Sequence, residues 1–533
     1  MNKIEELLAK TIKELYGIDN LNFTLQVPRL KENGDLSSTI ALQLAKKLNR
    51  DSLSIANEIG KQLYDKSIKL IEVKAPGFIN FFLKQDVYSE QLKELDFSFP
   101  PLNKKYNVEF VSANPTGDLH LGHARQAALG DSICRLLSKV GYQVTREYYV
   151  NDAGNQMNNL ALSLKARYNQ IYNPTYLMLE DGYHGDDIKE IAQQLNNEVG
   201  NKYLGDDTEE TLQFFKLYAK EKELIKINEV LQRYRVSFDV FSSEVKIRDE
   251  GYPEEALKRL DKLGLLYENE GATFFKTTVF GDDKDRVVIK SDGNYTYLTP
   301  DIAYHIQKLS RGYDYLIDLL GADHHGYINR MKAAIQALTG KKDKLHIEIV
   351  QMVRLIKDGQ ELKMSKRTGN AISINDLIDE VGVDAARFFF VMRNASSHLD
   401  FDINLATSQS NDNPVYYIQY AHARICQILN KNDNIKESQN FDLLINKKEI
   451  ELIKSCLDYK DTIQEAADSL APYKIVNYLL KLAQLFHSYY ADNKVNDPEN
   501  IELSASRLGL CRLIKNIVSD ALLLIGVEPK ERM

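Results

Sequence analysis

Residues 108–130, VEFVSANPTGDLHLGHARQAALG, constrain the fold more than any other stretch. An apolar run (108–113) leads into the turn Asn114-Pro115-Thr116-Gly117, and a helical pattern opens near Leu121. A strand that feeds a Gly/Pro turn and then a helix start aims free N–H groups, and the positive end of the helix dipole, at whatever lies over the turn. His120 and His123 stand at that helix start, with Gly122 between them leaving room for a ligand. Two imidazoles, free N–H groups and no bulky residue suit a nucleoside triphosphate. Taken alone, the same H-x-G-H reads equally well as a capped helix with surface histidines.

The flanking pattern places this unit in a doubly wound parallel sheet. A second strand, QVTREYYV (143–150), completes a βαβ start whose ligand site lies at the carboxyl ends of the strands. Residues from about 157 to 250 are mostly helical and charged, and read as an insertion between the two halves of the sheet. The second half is expected to resume with the β-like runs 272–278 and 286–290. It continues through YTYLTPD (295–301) into a helix, then an apolar strand (315–320) ending in Gly321-Ala322-Asp323-His324-His325, a strand at 346–353 and a helix at 374–392. Residues 1–100 look like a separate α+β domain, with helical patterns at 4–16, 36–48 and 53–63 and β-like runs at 70–73 and 78–82. Pro100-Pro101 marks the linker, and past Phe401 almost everything has helical period. The expected organisation is an α+β domain (1–100), a Rossmann-type α/β domain (101–395) and an all-α domain (396–533).

Composition narrows the class. At 533 residues the chain has length for three or four domains, and its 44% hydrophobic and 27% charged content is that of a soluble globular protein. No run approaches 18 apolar residues, and MNKIEELLAKTIKELYG is an amphipathic helix with acids throughout rather than a signal peptide. Cys134, Cys426, Cys456 and Cys511 are scattered without a CxxC pair, so neither a zinc site nor a disulfide framework is expected, and a reducing cytoplasm fits. A net charge of −8 argues against DNA or indiscriminate nucleic-acid binding, and leaves room for an RNA partner held by local basic patches.

Some of the chemistry is readable before any comparison. Asp323 with Gly321 at a strand end offers a carboxylate and close backbone approach to ribose hydroxyls, although the same residues make an ordinary strand-to-helix turn. Asp301 reads as a helix N-cap, and Glu109 as a solvent-facing strand residue. The downstream loop ELKMSKRTGN (361–370) carries two ammonium groups, Lys363 and Lys366. Together, and in this order, HLGH and KMSK resemble the paired signatures of class I aminoacyl-tRNA synthetases. That resemblance implies formation of an aminoacyl-adenylate from ATP with Mg2+. His120, His123, Lys363 and Lys366 would be catalytic, with Gly122, Met364 and Ser365 beside the nucleotide. Gly321 and Asp323 would take the ribose, and Met352 and Val353 the adenine.

Further stretches narrow the resemblance to the arginyl-tRNA synthetase family: VEFVSANPTG, YLTPDIA, GFINFFL, VNDAGNQM, GADHHGYINR, FDINLATSQSNDNPVYYIQYAHAR and GVEPKERM. The resemblance implies an arginine pocket built from Glu109, Ser112, Asn114, Tyr297, Asp301 and His325, in which carboxylates and a flat ring meet the five donors of a guanidinium. It implies a tRNA partner, met near the anticodon by Tyr420, Tyr490 and Met533 and at its elbow by residues 1–100. Tyrosines at helical spacing are otherwise core residues. A monomer is expected, with no metal ligated by the protein itself. The rival readings are a class I synthetase for another amino acid, a small nucleotidyltransferase, or a non-catalytic synthetase-like RNA-binding protein.

Overall fold

The computed structural model describes residues 2–19, 21–28, 30–362 and 372–533. Its centre is a five-stranded, all-parallel sheet in the order 345–350, 315–321, 105–109, 143–150, 240–243. The chain starts in the middle at Lys105–Glu109, winds outward through Gln143–Val150 to Val240–Ser243, then returns to the other side through Tyr315–Gly321 and Leu345–Val350. The order reverses between Lys105–Glu109 and Tyr315–Gly321, and a crevice opens beyond the carboxyl ends of strands at such a switch point. The α/β, doubly wound expectation holds.

Several local expectations shift. The first strand ends at Glu109 rather than running to Ala113, because Val111 (φ 67°) and Ser112 (φ 39°) turn into the left-handed region. The helical insertion, Asn155–Tyr172, Asp186–Val199 and Glu209–Arg233, closes on its own apolar core around Leu160, Leu164, Ile191 and Phe215. It stops short of residue 250, since Val240–Ser243 pairs with Gln143–Val150 as the edge of the sheet. The runs near 272–278 and 286–290 do form strands, but these join Leu266–Asn269 in a separate antiparallel sheet. Likewise the strand expected at 346–353 divides: Leu345–Val350 stays in the main sheet, while Val353–Lys357 pairs with Leu399–Asp402 in a small sheet of its own.

The chain divides into two compact units: residues 1–96, 428–458 and 485–514 in one, and 97–427, 459–484 and 515–533 in the other. In the first, Asn2–Tyr16, Ile40–Leu48 and Ser52–Gln62 bury Leu8, Ile12, Leu44 and Ile59 against the strand Phe78–Leu83. Asp51 caps the third of these helices, accepting from Ser54 N at 2.7 Å. The ion pair of Lys454 with Asp35 ties a helix from the 428–458 segment to this same unit. In the second unit Arg387, wholly buried, pairs with Asp131 at 2.6 Å and links the helix Ile374–Val391 to Leu121–Lys139. All four cysteines are buried thiols outside any disulfide, Cys456 and Cys511 in the first unit and Cys134 and Cys426 in the second. Among the described residues, no helix is long and apolar enough to cross a membrane.

Candidate active site

The two histidines build the helix start themselves. His120 occupies the N-cap of Leu121–Lys139, its Nδ1 accepting from Gly122 N at 3.1 Å, and His123 Nδ1 accepts from His120 N at 3.2 Å. The rings stack with centroids 3.7 Å apart. The capped-helix reading holds, and it is compatible with the ligand reading: an accepting Nδ1 puts the proton of each neutral ring on Nε2, making that atom a hydrogen-bond donor. A side chain at Gly122 would begin only 3.0 Å from His120 Cε1, so glycine keeps the imidazole in place.

The loop 363–371, with Lys363, Met364, Ser365 and Lys366, lies outside the described residues. Its flanks do not. Leu362 N donates to Leu355 O at 2.9 Å, and Ile374 N donates to Leu119 O at 2.8 Å, one residue before His120. Ser373 bridges His120 through the backbone and caps the helix that follows.

On the amino-acid side, Glu109 ends the central strand and is buried. Its Oε1 accepts from Ser112 Oγ at 3.0 Å and its Oε2 is paired with Lys308 Nζ. Glu109 is therefore neither solvent-facing nor free for a guanidinium in this state. Burial raises its carboxyl above the usual range, and Lys308 pulls part of the way back. Asn114 donates to Gln156 Oε1 at 2.6 Å.

Asp301 sits in the first turn of Leu298–Ser310, whose N-cap is Tyr297, so it is not a capping residue. It is half-buried, and burial lifts its carboxyl to about 7 against the opposing effects of the Tyr327 hydroxyl bond and His305. No cation among the described residues forms an ion pair with it. Tyr297 is 92% exposed.

On the opposite side of the switch point, Gly321 ends its strand and starts the turn Ala322–Tyr327. Asp323 stands exposed, with His324 Nε2 at 3.5 Å, and the side chain of His325 lies outside the described residues. Met352 is 66% exposed beside the buried Val353, just past the carboxyl end of Leu345–Val350. Arg125 fixes that corner, donating to Gln351 O and Asn394 O at 2.9 Å each.

Glu109 and Asp301 thus feel each other's charge at the carboxyl end of Lys105–Glu109, the two histidines open the helix that follows that strand, and Gly321, Asp323 and Met352 sit at the ends of the next two strands. Tyr420 lies far along the chain, stacked on Tyr416 with centroids 6.0 Å apart. Tyr490 belongs to the other unit and stacks on Phe486, and Met533 is exposed.

Two residues of this neighbourhood escaped the sequence reading. Lys308 is wholly buried beneath Glu109, and Glu244 is a buried acid whose charge helps to raise Asp301. Glu244 is itself held by Arg248 one helical turn away. Neither carries a sequence signal beyond an ordinary charged residue of a helix.

Three family descriptions match the chain: the arginyl tRNA synthetase N-terminal domain over residues 2–83, the class I (R) tRNA synthetase catalytic domain over 91–448, and the DALR anticodon-binding domain over 418–533. The arginine–tRNA ligase of Bacillus licheniformis is 49% identical over 100% of both chains. That of Bacillus subtilis is 48% identical over 99% of this chain and 98% of its own. The solved arginyl-tRNA synthetase of Thermus thermophilus, 21% identical, shares the fold over 100% of both chains with a TM-score of 0.80.

Proposed function

Because the chain belongs to the arginyl-tRNA synthetase family and is a class I arginine–tRNA ligase acting on arginine, ATP and tRNA, we propose a division of labour within its site. Asp301 takes the guanidinium, with Tyr297 closing over the planar face and Ser112, Asn114 and His325 around the rest of the amino acid. The single observation behind this reading is the enclosed carboxyl of Asp301, raised to about 7 and without an ionic partner among the described residues. A guanidinium, with five fixed donors and a permanent charge, is the side chain that answers such a group.

The carboxylate of arginine attacks the α-phosphorus of ATP, pyrophosphate leaves, and the adenylate then acylates the terminal 2′-hydroxyl of the tRNA. His120 and His123 donate from Nε2 to the phosphates as their charge grows, and Lys363 and Lys366 do the same from the signature loop, flanked by Met364 and Ser365. Gly122 admits the triphosphate, Gly321 and Asp323 hold the ribose, and the backbone at Met352 and Val353 meets the adenine. Mg2+ enters with the phosphates of ATP, as its preference for phosphate oxygens and water dictates. The imidazole and ammonium groups are donors, suited to phosphate oxygens rather than to a cation.

Beyond the catalytic unit, residues 1–100 serve the tRNA elbow and residues 396–533 the anticodon, with Tyr420, Tyr490 and Met533 as contacts and residues 101–395 as the catalytic domain. The enzyme works as a monomer in the cytoplasm. The test is pyrophosphate exchange in the presence of tRNA, run with each standard amino acid and with citrulline, which is neutral but shaped like arginine. Arginine alone should be activated. Equal activation of any other amino acid, or of citrulline, would overturn the pocket.

A further inference from the structure

The reaction as derived has no task for Lys308, yet no charged residue in the site is more deeply placed. Its side chain is 0% exposed, and its Nζ pairs with Glu109, pairs with Asp318 Oδ1 at 2.8 Å and lies 4.3 Å from the centre of the Tyr304 ring. A lysine is seldom fully buried, and its charge is then tolerated only where acids surround it. Here Asp318, Glu109 and Glu147 keep the ammonium charged against the cost of burial.

What Glu109 does with its other oxygen gives that placement a purpose. Oε1 accepts from Ser112 Oγ at 3.0 Å, and Ser112 Oγ in turn accepts from Tyr149 N at 3.0 Å. Ser112 and the preceding Val111 are both left-handed, a conformation that a β-branched residue such as valine adopts only under constraint. Released from that constraint, the segment would relax toward extended backbone. This turn delivers the chain to Asn114, to the Gly117 turn and to the helix that begins at His120.

We propose that Lys308 is a positioning residue for arginine activation: it ties Glu109 to Asp318, and through the Glu109–Ser112–Tyr149 bonds it clamps the left-handed turn from which Asn114 and the two-histidine helix start are presented. Lys308 touches no reacting atom and acts through Glu109. The inference rests on the arginine site described above.

The groups facing Glu109 from the packed elements are Lys308, Tyr304 and Asp301 of Leu298–Ser310, Asp318 of Tyr315–Gly321, Glu147 and Tyr149 of Gln143–Val150, and Tyr327. Lys308 is the nearest cation among them. Without it, burial drives Glu109 to its protonated form and the clamp slackens. Higher pH re-ionises it.

The experiment measures arginine-dependent pyrophosphate exchange with tRNA for wild type, Lys308→Met, Lys308→Arg and the double variant Lys308→Met with Glu109→Gln, from about pH 6.5 to 9. Lys308→Met should lower kcat/KM for arginine by about 100-fold near pH 7 with unchanged KM for tRNA, and part of the loss should return as pH rises. Lys308→Arg should restore activity in part. The double variant removes the stranded charge at Glu109 and leaves Asp318 with His305 as its partner, and it should keep the loss while losing the pH dependence that comes from Glu109. A Lys308→Met enzyme with wild-type kcat/KM, or an equally deep defect at every pH, overturns the inference. If Lys308→Met does not fold, the double variant decides alone: wild-type activity in it overturns the clamp. Failure of the wild type itself to activate arginine would instead sink the site reading on which the clamp rests.

Discussion

Two aspartates of the catalytic unit, each in the first turn of a helix or 3-10 segment, have opposite surroundings. Asp301 is half-buried, bonded to the Tyr327 hydroxyl and flanked by the acids Glu109 and Glu244, and its carboxyl rises to about 7. The Asp323 side chain is 83% exposed, with the neighbouring imidazole of His324 at 3.5 Å. The first is expensive to ionise until a cation arrives. The second stands in solvent, so a ribose bound there would merely exchange places with water. Selectivity follows the cost of being empty: a desolvated carboxylate rejects whatever cannot satisfy it, while an exposed one binds loosely and tolerantly. With the subsites assigned as proposed, the amino-acid side would carry discrimination and the nucleotide side holding.

The contrast can be broken most forcefully at Asp301. Asp301→Asn would remove the proposed partner of the arginine guanidinium, at a cost of about 3–5 kcal/mol, so kcat/KM for arginine should fall by several hundred-fold or more. KM for ATP should stay within about twofold, because the path from Asp301 to Asp323 runs through two intervening rings, Tyr327 and His324. Steady-state pyrophosphate exchange, varying each substrate in turn, reads both numbers. An equal rise in the two KM values would erase the distinction.

A smaller effect sharpens the comparison through pH. Only the ionised carboxyl pairs with guanidinium, and Asp301 titrates near 7, so affinity for arginine should fall about tenfold for each pH unit below that and level off above it. The sign for stability runs the other way. An aspartate of the unfolded chain releases its proton near pH 4 while the folded, arginine-free protein keeps it to about 7. That contribution is fully present below about pH 4 and is lost as pH rises to about 7, and bound arginine abolishes the loss. Calorimetric titration of arginine at about pH 6 and pH 8, with thermal melts of the free enzyme over the wider range, measures both. An arginine Kd that stays flat would put the guanidinium elsewhere.

The mildest change belongs to the exposed partner. Asp323→Asn exchanges one solvated hydrogen-bond acceptor for another, worth about 0.5–1.5 kcal/mol, so KM for ATP should rise no more than about tenfold with arginine binding untouched. Loss of all activity would show that Asp323 holds more than a ribose.

How much of this was legible in the sequence varied with the range of the interaction that decides it. The helix Leu121–Lys139 and the strands on either side of it announce themselves through local period and turn chemistry, and they appear as expected. The end of the first strand did not. Valine and phenylalanine favour extended backbone, and it is long-range bonds, from Ser112 to Glu109 and Tyr149 N and from Tyr148 to Ala113 O, that hold the turn there. Residues 272–275 and 286–289 were recognisable as strands, but alternation says nothing about the partner, and theirs lay in a separate sheet. Within the site, Glu109 and Asp301 could be nominated from motif resemblance. Their unequal roles could not, because the difference is made by Lys308, 199 residues from Glu109 and ordinary in its own helix.

The four buried thiols carry a consequence for how this protein can be watched as it comes apart. Burial raises the Cys511 thiol to about 12 and pushes those of Cys134 and Cys456 up as well, so native alkylation waits on opening events. Each compact unit holds two of them. A mass spectrometer following a thiol reagent in mild denaturant would therefore resolve two clocks, Cys456 with Cys511 and Cys134 with Cys426. A common rate for all four would mean that the units open as one cooperative body. A lead by either pair would identify the weaker unit, and bound arginine should slow only the clock of the unit that holds Asp301.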